Sequence, residues 1–239
     1  MIDAISYSDI VAAVKAEQNR FSGRVVCFDS VDPATEKAMS EINSKIKRHS
    51  LVAVLFCNPN TAFCQNEILG SLNYLHHRSK QYINIFCCGY GAYWPAEEYP
   101  DLKFVTNIDG VDWSYSDKSL VSAVEEFEAR TKWKFSGENE LLILDVSPSI
   151  NETELNINNS IVCNLEKMST DKAFTSFRAF LERLIRYAAS DRAANAWEFS
   201  DMQGLETGKG LLKDVILGLL PTSLQETYRK AENFAVRQI

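Results

Sequence analysis

One glutamate, Glu67, stands where a carboxylate could take part in a reaction. It follows the apolar run 51–57 and the polar break Asn58-Pro59-Asn60, and it falls in the first turn of the next predicted helix. The free amides of a helix N-terminus carry partial positive charge, which favours an anion at this position. In α/β proteins the ends of buried strands are also where ligands bind. Glu67 is therefore a candidate catalytic carboxylate, and its alternative role is to complement the helix dipole.

Other polar side chains follow two earlier predicted strands. Ser6 and Ser8 come after the first strand, and Asp29 and Asp32 come after the second. Serine hydroxyls could contact ribose or phosphate, and acids at a strand end can bind ribose hydroxyls. Each set also has a structural alternative. Ser8 or Asp9 can cap the following helix, and the two aspartates favour a turn.

An aromatic loop follows the fourth predicted strand. It contains Tyr90, Tyr93 and Trp94. Large planar side chains can stack on the ring of a bound nucleotide. The same three side chains could instead anchor the second half of the chain, and the sequence leaves both roles open.

The composition is that of a globular protein with an acidic surface. The chain has 239 residues, of which 25 are Lys or Arg and 32 are Asp or Glu, so the formal net charge is −7. This balance argues against broad binding of nucleic acid or an anionic membrane, although a local basic patch would not be visible in the average. The N-terminal residues lack the pattern of a signal peptide and no apolar run is long enough to span a bilayer, so we expect a cytoplasmic protein.

The cysteines predict no metal site. Most of the six cysteines lie inside apolar runs, and their spacing shows no pair of CxxC motifs. Reduced core thiols are favoured over zinc ligands or disulfides in such a pattern.

Alternating strands and helices predict the fold. Strand patterns cover residues 2–6, 24–28, 51–57 and 82–88, and helical patterns separate them. Such alternation with short connections favours a mostly parallel, doubly wound sheet of the flavodoxin-like type. Past Trp133 two further strands and several helices follow. We therefore expect an α/β domain over residues 1–135 and a C-terminal α/β segment over residues 136–239 that packs on it.

Residues 2–95 resemble a TIR domain. The resemblance rests on four short matches in the family's order: Ala4-Ile5-Ser6-Tyr7-Ser8-Asp9, Phe28-Asp29 with the loop to Pro33, the helix end Lys47-Arg48-His49-Ser50, and Phe63-Cys64-Gln65-Asn66-Glu67. The last match is similar to the aromatic-Cys-x-x-Glu element whose glutamate is catalytic in enzymatic members. Two positions depart from the family pattern, because Ala62 replaces the usual Ser and Phe63 the usual Trp.

The resemblance implies an enzyme that consumes NAD as its substrate, without another cofactor. Glu67 would be the catalytic residue of this glycohydrolase or ADP-ribose cyclase. Ser6, Ser8, Asp29, Asp32, Tyr90, Tyr93 and Trp94 would contact the substrate. Such proteins often act in cytosolic signalling or defence against phage and need self-assembly or a protein partner. Two alternatives remain open: a nonenzymatic interaction or nucleotide-sensing module, and a nucleoside deoxyribosyltransferase-like glycosidase.

Overall fold

A computed structural model describes residues 2–4, 6–22, 50–79, 82–149, 151, 153–189, 205–230 and 236–238. The strands are β1 (Ile2–Ala4), β2 (Ser50–Phe56), β3 (Asn84–Cys88), β4 (Tyr90–Gly91), β5 (Lys103–Ile108), β6 (Val111–Tyr115), β7 (Glu140–Pro148), β8 (Leu155–Asn164) and β9 (Val236–Gln238). The helices are α1 (Tyr7–Ser22), α2 (Gly70–Ser79), α3 (Asp117–Arg130), α4 (Leu165–Thr170), α5 (Phe177–Ala188), α6 (Leu205–Gly218) and α7 (Thr222–Lys230). A π-helix, Cys64–Leu69, leads directly into α2.

The larger sheet is mixed, so the prediction of a mostly parallel sheet is wrong. Its six strands lie in the order β1-β3-β2-β7-β8-β9. The pairs β1/β3 and β2/β3 are parallel, whereas β2/β7, β7/β8 and β8/β9 are antiparallel. A short connection between β7 and β8 permits only an antiparallel pair, because parallel neighbours need a long crossover. The broader expectation of a sheet flanked by helices is confirmed.

The strand order also differs from the flavodoxin-like order. That order places the third strand of the alternation beside the first. Here β2, which corresponds to the third predicted strand, lies between β3 and β7, and β1 lies on the far side of β3. The second predicted strand, 24–28, lies outside the described residues.

Strand β2 joins the two predicted segments within one sheet. Seven residue pairs align it with β7, from Ser50 opposite Val146 to Phe56 opposite Glu140. Its residues from Leu51 to Phe56 are all buried. A strand that is covered on both faces reads as a continuous apolar run, as this one does. The proposed division at residue 136 therefore does not separate two sheets.

An aromatic cluster covers one face of this sheet. The ring of Phe56 lies 4.4 Å from that of Trp133 and 5.5 Å from that of Phe127, and Tyr7 of α1 contacts Phe127 edge-on at 5.3 Å. The indole N–H of Trp133 donates to Oε2 of Glu140 at 2.9 Å. A buried carboxylate is costly unless it is hydrogen-bonded, and the indole supplies one such bond.

A second, antiparallel sheet has the order β4-β6-β5. Strands β5 and β6 form a hairpin whose turn residues, Asp109 and Gly110, both have positive φ, 53° and 82°. Two successive residues with positive φ are typical of the tight turns that match strand twist. None of the described helices is long and apolar enough to cross a membrane.

Helices α2 and α5 pack against each other through a charged cluster. The carboxylate of Glu182 on α5 accepts hydrogen bonds from the Tyr74 hydroxyl at 2.7 Å and from Arg78 Nε at 3.0 Å, both on α2. Arg186, one turn further along α5, donates to the same carboxylate at 2.7 Å. Arg178 lies over the Tyr74 ring at 3.6 Å. One carboxylate thus connects the two helices and is shared by two arginines.

Acid should weaken this connection. Burial opposes the charge on Glu182, but hydrogen bonds from Arg186, Tyr74 and Arg78 outweigh that effect and lower its pKa from 4.5 to about 2. A carboxylate whose pKa is lower in the folded state stabilises the fold above its unfolded pKa and loses this effect as the pH falls through its folded pKa. The stabilisation by Glu182 should therefore be complete above about pH 4.5 and decline toward about pH 2.

The measurement is urea unfolding at several pH values for the wild type and Glu182→Gln, with Glu125→Gln on the exposed face of α3 as the control. The difference in unfolding free energy between wild type and Glu182→Gln should shrink below about pH 4.5. A difference that is independent of pH would contradict this assignment. The control should stay close to the wild type throughout, because exposed charges contribute little.

Candidate functional site

Glu67 lies in the π-helix that follows β2, and its side chain is half-buried. Its Oε2 atom accepts a hydrogen bond from the backbone N–H of Phe177 at 3.1 Å. Phe177 is the first residue of α5, and its N–H has no acceptor within the helix. The carboxylate therefore binds the N-terminus of a distant helix rather than complementing the dipole of its own.

The same arrangement recurs at two other helices. Oε2 of Glu126 accepts from the backbone N–H of Tyr7, the first residue of α1, at 2.6 Å. The carboxylate of Asp101 accepts from the backbone N–H of Lys118 at 3.0 Å and from the Ser116 hydroxyl at 2.8 Å, at the start of α3. A helix N-terminus favours an anion through both its free amides and its dipole. Three helices are thus held by carboxylates from elsewhere in the chain.

Ser6, which was predicted to contact substrate, caps α1. Its hydroxyl accepts from the backbone N–H of Asp9 at 3.4 Å, and the Asp9 carboxylate accepts from the backbone N–H of Ser6 at 2.9 Å. This reciprocal pair is a capping box with Asp in place of the usual Glu. The Ser8 hydroxyl lies 2.6 Å from that of Ser6. Ser6 is therefore the capping residue, where the sequence had suggested Ser8 or Asp9.

The three aromatic residues of the loop after β3 have different environments. Tyr90 is fully buried, and its hydroxyl lies 3.4 Å from Cys57 Sγ and 3.3 Å from Cys64 Sγ. Burial raises the pKa of Tyr90 and that of the Cys57 thiol far above their ordinary values, so both groups stay protonated. A buried Tyr90 cannot stack on a ligand. The cysteines that the structure describes are buried, and none of them forms a disulfide.

Trp94 packs within its own loop, and Tyr93 faces solvent. The Trp94 ring lies 5.0 Å from the ring of Tyr99 and covers Gly91 so closely that a Cβ there would come within 2.1 Å of it. Tyr93 has a positive φ of 62° and is 88% exposed. Of the three aromatic residues, only Tyr93 presents its ring to a ligand or a partner.

Asn139, which sequence reasoning treated only as part of a boundary, connects three segments near the end of β2. Its side-chain oxygen accepts from the backbone N–H of Asn58 at 3.1 Å, and its amide nitrogen donates to the Thr61 hydroxyl at 2.9 Å. The same nitrogen donates to the Glu166 carboxylate at the start of α4. Asn139 is buried. In the sequence, its position directly before a strong strand pattern was the feature that could have indicated this role.

The Glu67 carboxylate is hydrogen-bonded to none of the other predicted site residues that the structure describes. Ser6 and Asp9 bond to each other, Tyr90 lies in the core, and Asp29 and Asp32 lie outside the described residues. No group of three potential metal ligands occurs within the part of the chain that the structure describes. The arrangement around Glu67 supplies one oriented carboxylate and one backbone amide.

Comparisons with known proteins found no relative. No protein-family model matches the sequence, and neither a curated protein nor a solved structure is similar enough to count as a match.

The bond from Glu67 to α5 should contribute to stability. Glu67→Ala leaves the N–H of Phe177 without its acceptor, and the loss of a capping side chain typically costs about 1 kcal/mol. Glu67→Gln keeps an oxygen at the same place and should cost less, because only the charge is lost. Urea unfolding would measure both, with Glu125→Ala on the exposed face of α3 as the control. Equal stability of Glu67→Ala and the wild type would contradict this role.

Proposed function

We propose that this chain is a nonenzymatic interaction module in which Glu67 has a structural role. The observation that carries the proposal is the hydrogen bond from the Phe177 amide to the Glu67 carboxylate. Because Glu126 and Asp101 bind helix N-termini in the same way, this contact is one of three similar tertiary contacts. The environment of Glu67 is thus explained without a substrate.

The other predicted substrate contacts support the same proposal. Ser6 is engaged in the cap of α1, and Trp94 is engaged with Gly91 and Tyr99. Catalysis needs several groups that converge on one reacting centre with their geometry held in advance. Instead, Ser6 and Trp94 contact their own helix and loop, and Glu67 contacts α5.

Exposed aromatic side chains supply surface for a partner. Tyr93 is 88% exposed, and Phe104 on β5 is 65% exposed. Strand β5 lies at an edge of the three-stranded sheet, with β6 as its neighbour. Large apolar side chains and sheet edges are features through which proteins bind other chains.

A second candidate function is the NAD-consuming activity that the TIR resemblance implies. Two observations favour it. Glu67 lies in a π-helix, a local irregularity that is frequent at functional sites, and its half-buried carboxylate is oriented by a backbone amide. A carboxylate held in this way could stabilise a ribosyl cation as nicotinamide leaves. The described strand order, which differs from the flavodoxin-like order, counts against this candidate.

One assay distinguishes the two candidates. The purified protein is incubated with NAD over a range of protein concentrations, so that its state of assembly varies. The interaction module predicts no release of nicotinamide beyond a protein-free control at any concentration. The enzyme predicts release that Glu67→Gln reduces by at least about a hundredfold, because that variant keeps the shape of the side chain but not its charge. Parallel incubations with nucleosides and deoxynucleosides test the glycosidase alternative.

Release of nicotinamide by the wild type that Glu67→Gln abolishes would overturn the interaction module. Release that is the same in both proteins would point to a different catalytic residue and would also overturn it. The unfolding measurements on the same variant show whether a loss of turnover follows from a loss of folded protein.

A further inference from the structure

A small, partly open pocket with a cavity volume of about 70 Å³ lies between the first turns of α5 and the turn that follows α6. One wall is formed by Lys172, Phe174 and Thr175, which precede α5, and by Phe180 and Arg183 of α5. The other wall is formed by Leu219 and Pro221. This volume is well below that of pockets that enclose a drug-sized ligand, so a ligand here would be only partly covered. None of the residues assigned to substrate by the TIR resemblance lines it.

Among the described residues, the two charged ones that line the pocket are both cations. They are Lys172 and Arg183, in a chain whose net charge is −7. The acid next to Lys172 in sequence, Asp171, accepts the Tyr228 hydroxyl at 2.5 Å. Two cations beside an apolar wall of low dielectric constant create a local positive potential, even though the net charge of the whole chain is negative. The lining therefore favours an anion.

Arg183 is held in place for such a ligand. One of its Nη atoms donates to the backbone oxygen of Leu219, across the pocket mouth, at 2.6 Å. A guanidinium has five N–H donors in a rigid fork that matches carboxylate and phosphate oxygens. With one donor used to fix the group, the remaining donors can bind an anion with little further loss of side-chain freedom.

Lys172 has a backbone conformation that is unusual for its type. Its φ is 57°, and its N–H donates to the oxygen of Ser169 at 3.0 Å in the turn that ends α4. A positive φ is uncommon for residues other than Gly and costs free energy, which the surrounding structure must offset. This turn places Lys172 at the pocket, on the same side as Thr175.

The remaining lining is apolar and partly aromatic. The rings of Phe174 and Phe180 are stacked, with centroids 5.7 Å apart and an interplanar angle of 29°. Leu219 and Pro221 face them across the pocket. Phe180 is buried and supports the half-buried ring of Phe174 from behind. An aromatic ring with cations nearby fits a flat apolar body that carries one anionic group.

We propose that this pocket binds a small aromatic anion, with its carboxylate or phosphate on Arg183 and Lys172 and its ring against the half-buried ring of Phe174. This site goes beyond the interaction module proposed above and does not depend on it. Glu67 binds the first amide of α5 but does not line the pocket. The two proposals can therefore fail separately.

The test is a set of titrations of the full chain, followed by calorimetry or by amide chemical shifts. Phenyl phosphate and benzoate are the anionic probes and separate the two anionic groups, while phenol and benzylamine are neutral and cationic probes of similar size. At least one anionic probe should bind more tightly than both phenol and benzylamine. Inorganic phosphate alone should bind more weakly than phenyl phosphate, because it lacks the ring.

Three variants locate the site. Arg183→Gln should lower the affinity for the anionic probe about tenfold, which is the effect expected for loss of a charge-assisted hydrogen bond. Lys172→Asn should weaken it as well, and Asn suits this backbone because it tolerates positive φ. Arg186→Gln, on the same helix but outside the pocket lining, removes the same charge and should leave affinity within about twofold. Thermal melting confirms that each variant is folded.

Three results would overturn the proposal. The first is that neither anionic probe binds at concentrations up to about 10 mM, the range of very weak ligands. The second is equal binding of phenol or benzylamine. The third is an equal effect of Arg183→Gln and Arg186→Gln, which would mean that the probes respond to general surface charge.

Discussion

The structure depends on the double pairing of strand β2. Its residues are buried on both faces, and both of its edges are hydrogen-bonded, in parallel to β3 and antiparallel to β7. In a strand without access to water, every backbone N–H and C=O needs a partner within the protein. Residues 140–148 meet this requirement at one edge of β2, where they pair with it as strand β7. As a result the N-terminal and C-terminal parts share one sheet and one core.

Around this sheet, long-range contacts to carboxylates and amides fix the helices. Glu67, Glu126 and Asp101 each bind the N-terminus of a helix that is remote in sequence or connected through a loop. Glu182 joins α2 to α5, and Asn139 joins the end of β2 to the start of α4. Helix ends leave amides that the helix itself cannot satisfy, so each such contact meets a requirement that the backbone imposes. An acidic chain can meet that requirement with its own side chains.

These contacts change the interpretation of Glu67. In the sequence it combines a position after a buried strand with a match to a catalytic motif, and both features favour chemistry. In the structure its carboxylate meets an amide of α5, as two other carboxylates meet amides of α1 and α3. The same geometry orients the carboxylate, which keeps the enzymatic alternative physically reasonable. The pocket beside α5 is a separate feature, and its cationic lining differs from the surroundings of Glu67.

The sequence alone determined the local elements. The apolar run 51–57 predicted β2, and the strand patterns past Trp133 predicted β7 and β8, because the periodicity of apolar residues is a property of each segment. The sequence did not determine that β7 pairs antiparallel with β2, since the apolar pattern of a strand does not indicate which strand lies next to it. Nor could it show that Glu67 meets Phe177 or that Arg183 and Lys172 share a pocket, because these residues are brought together only by packing of α5 on the sheet. Tertiary structure decided which chemical groups face one another.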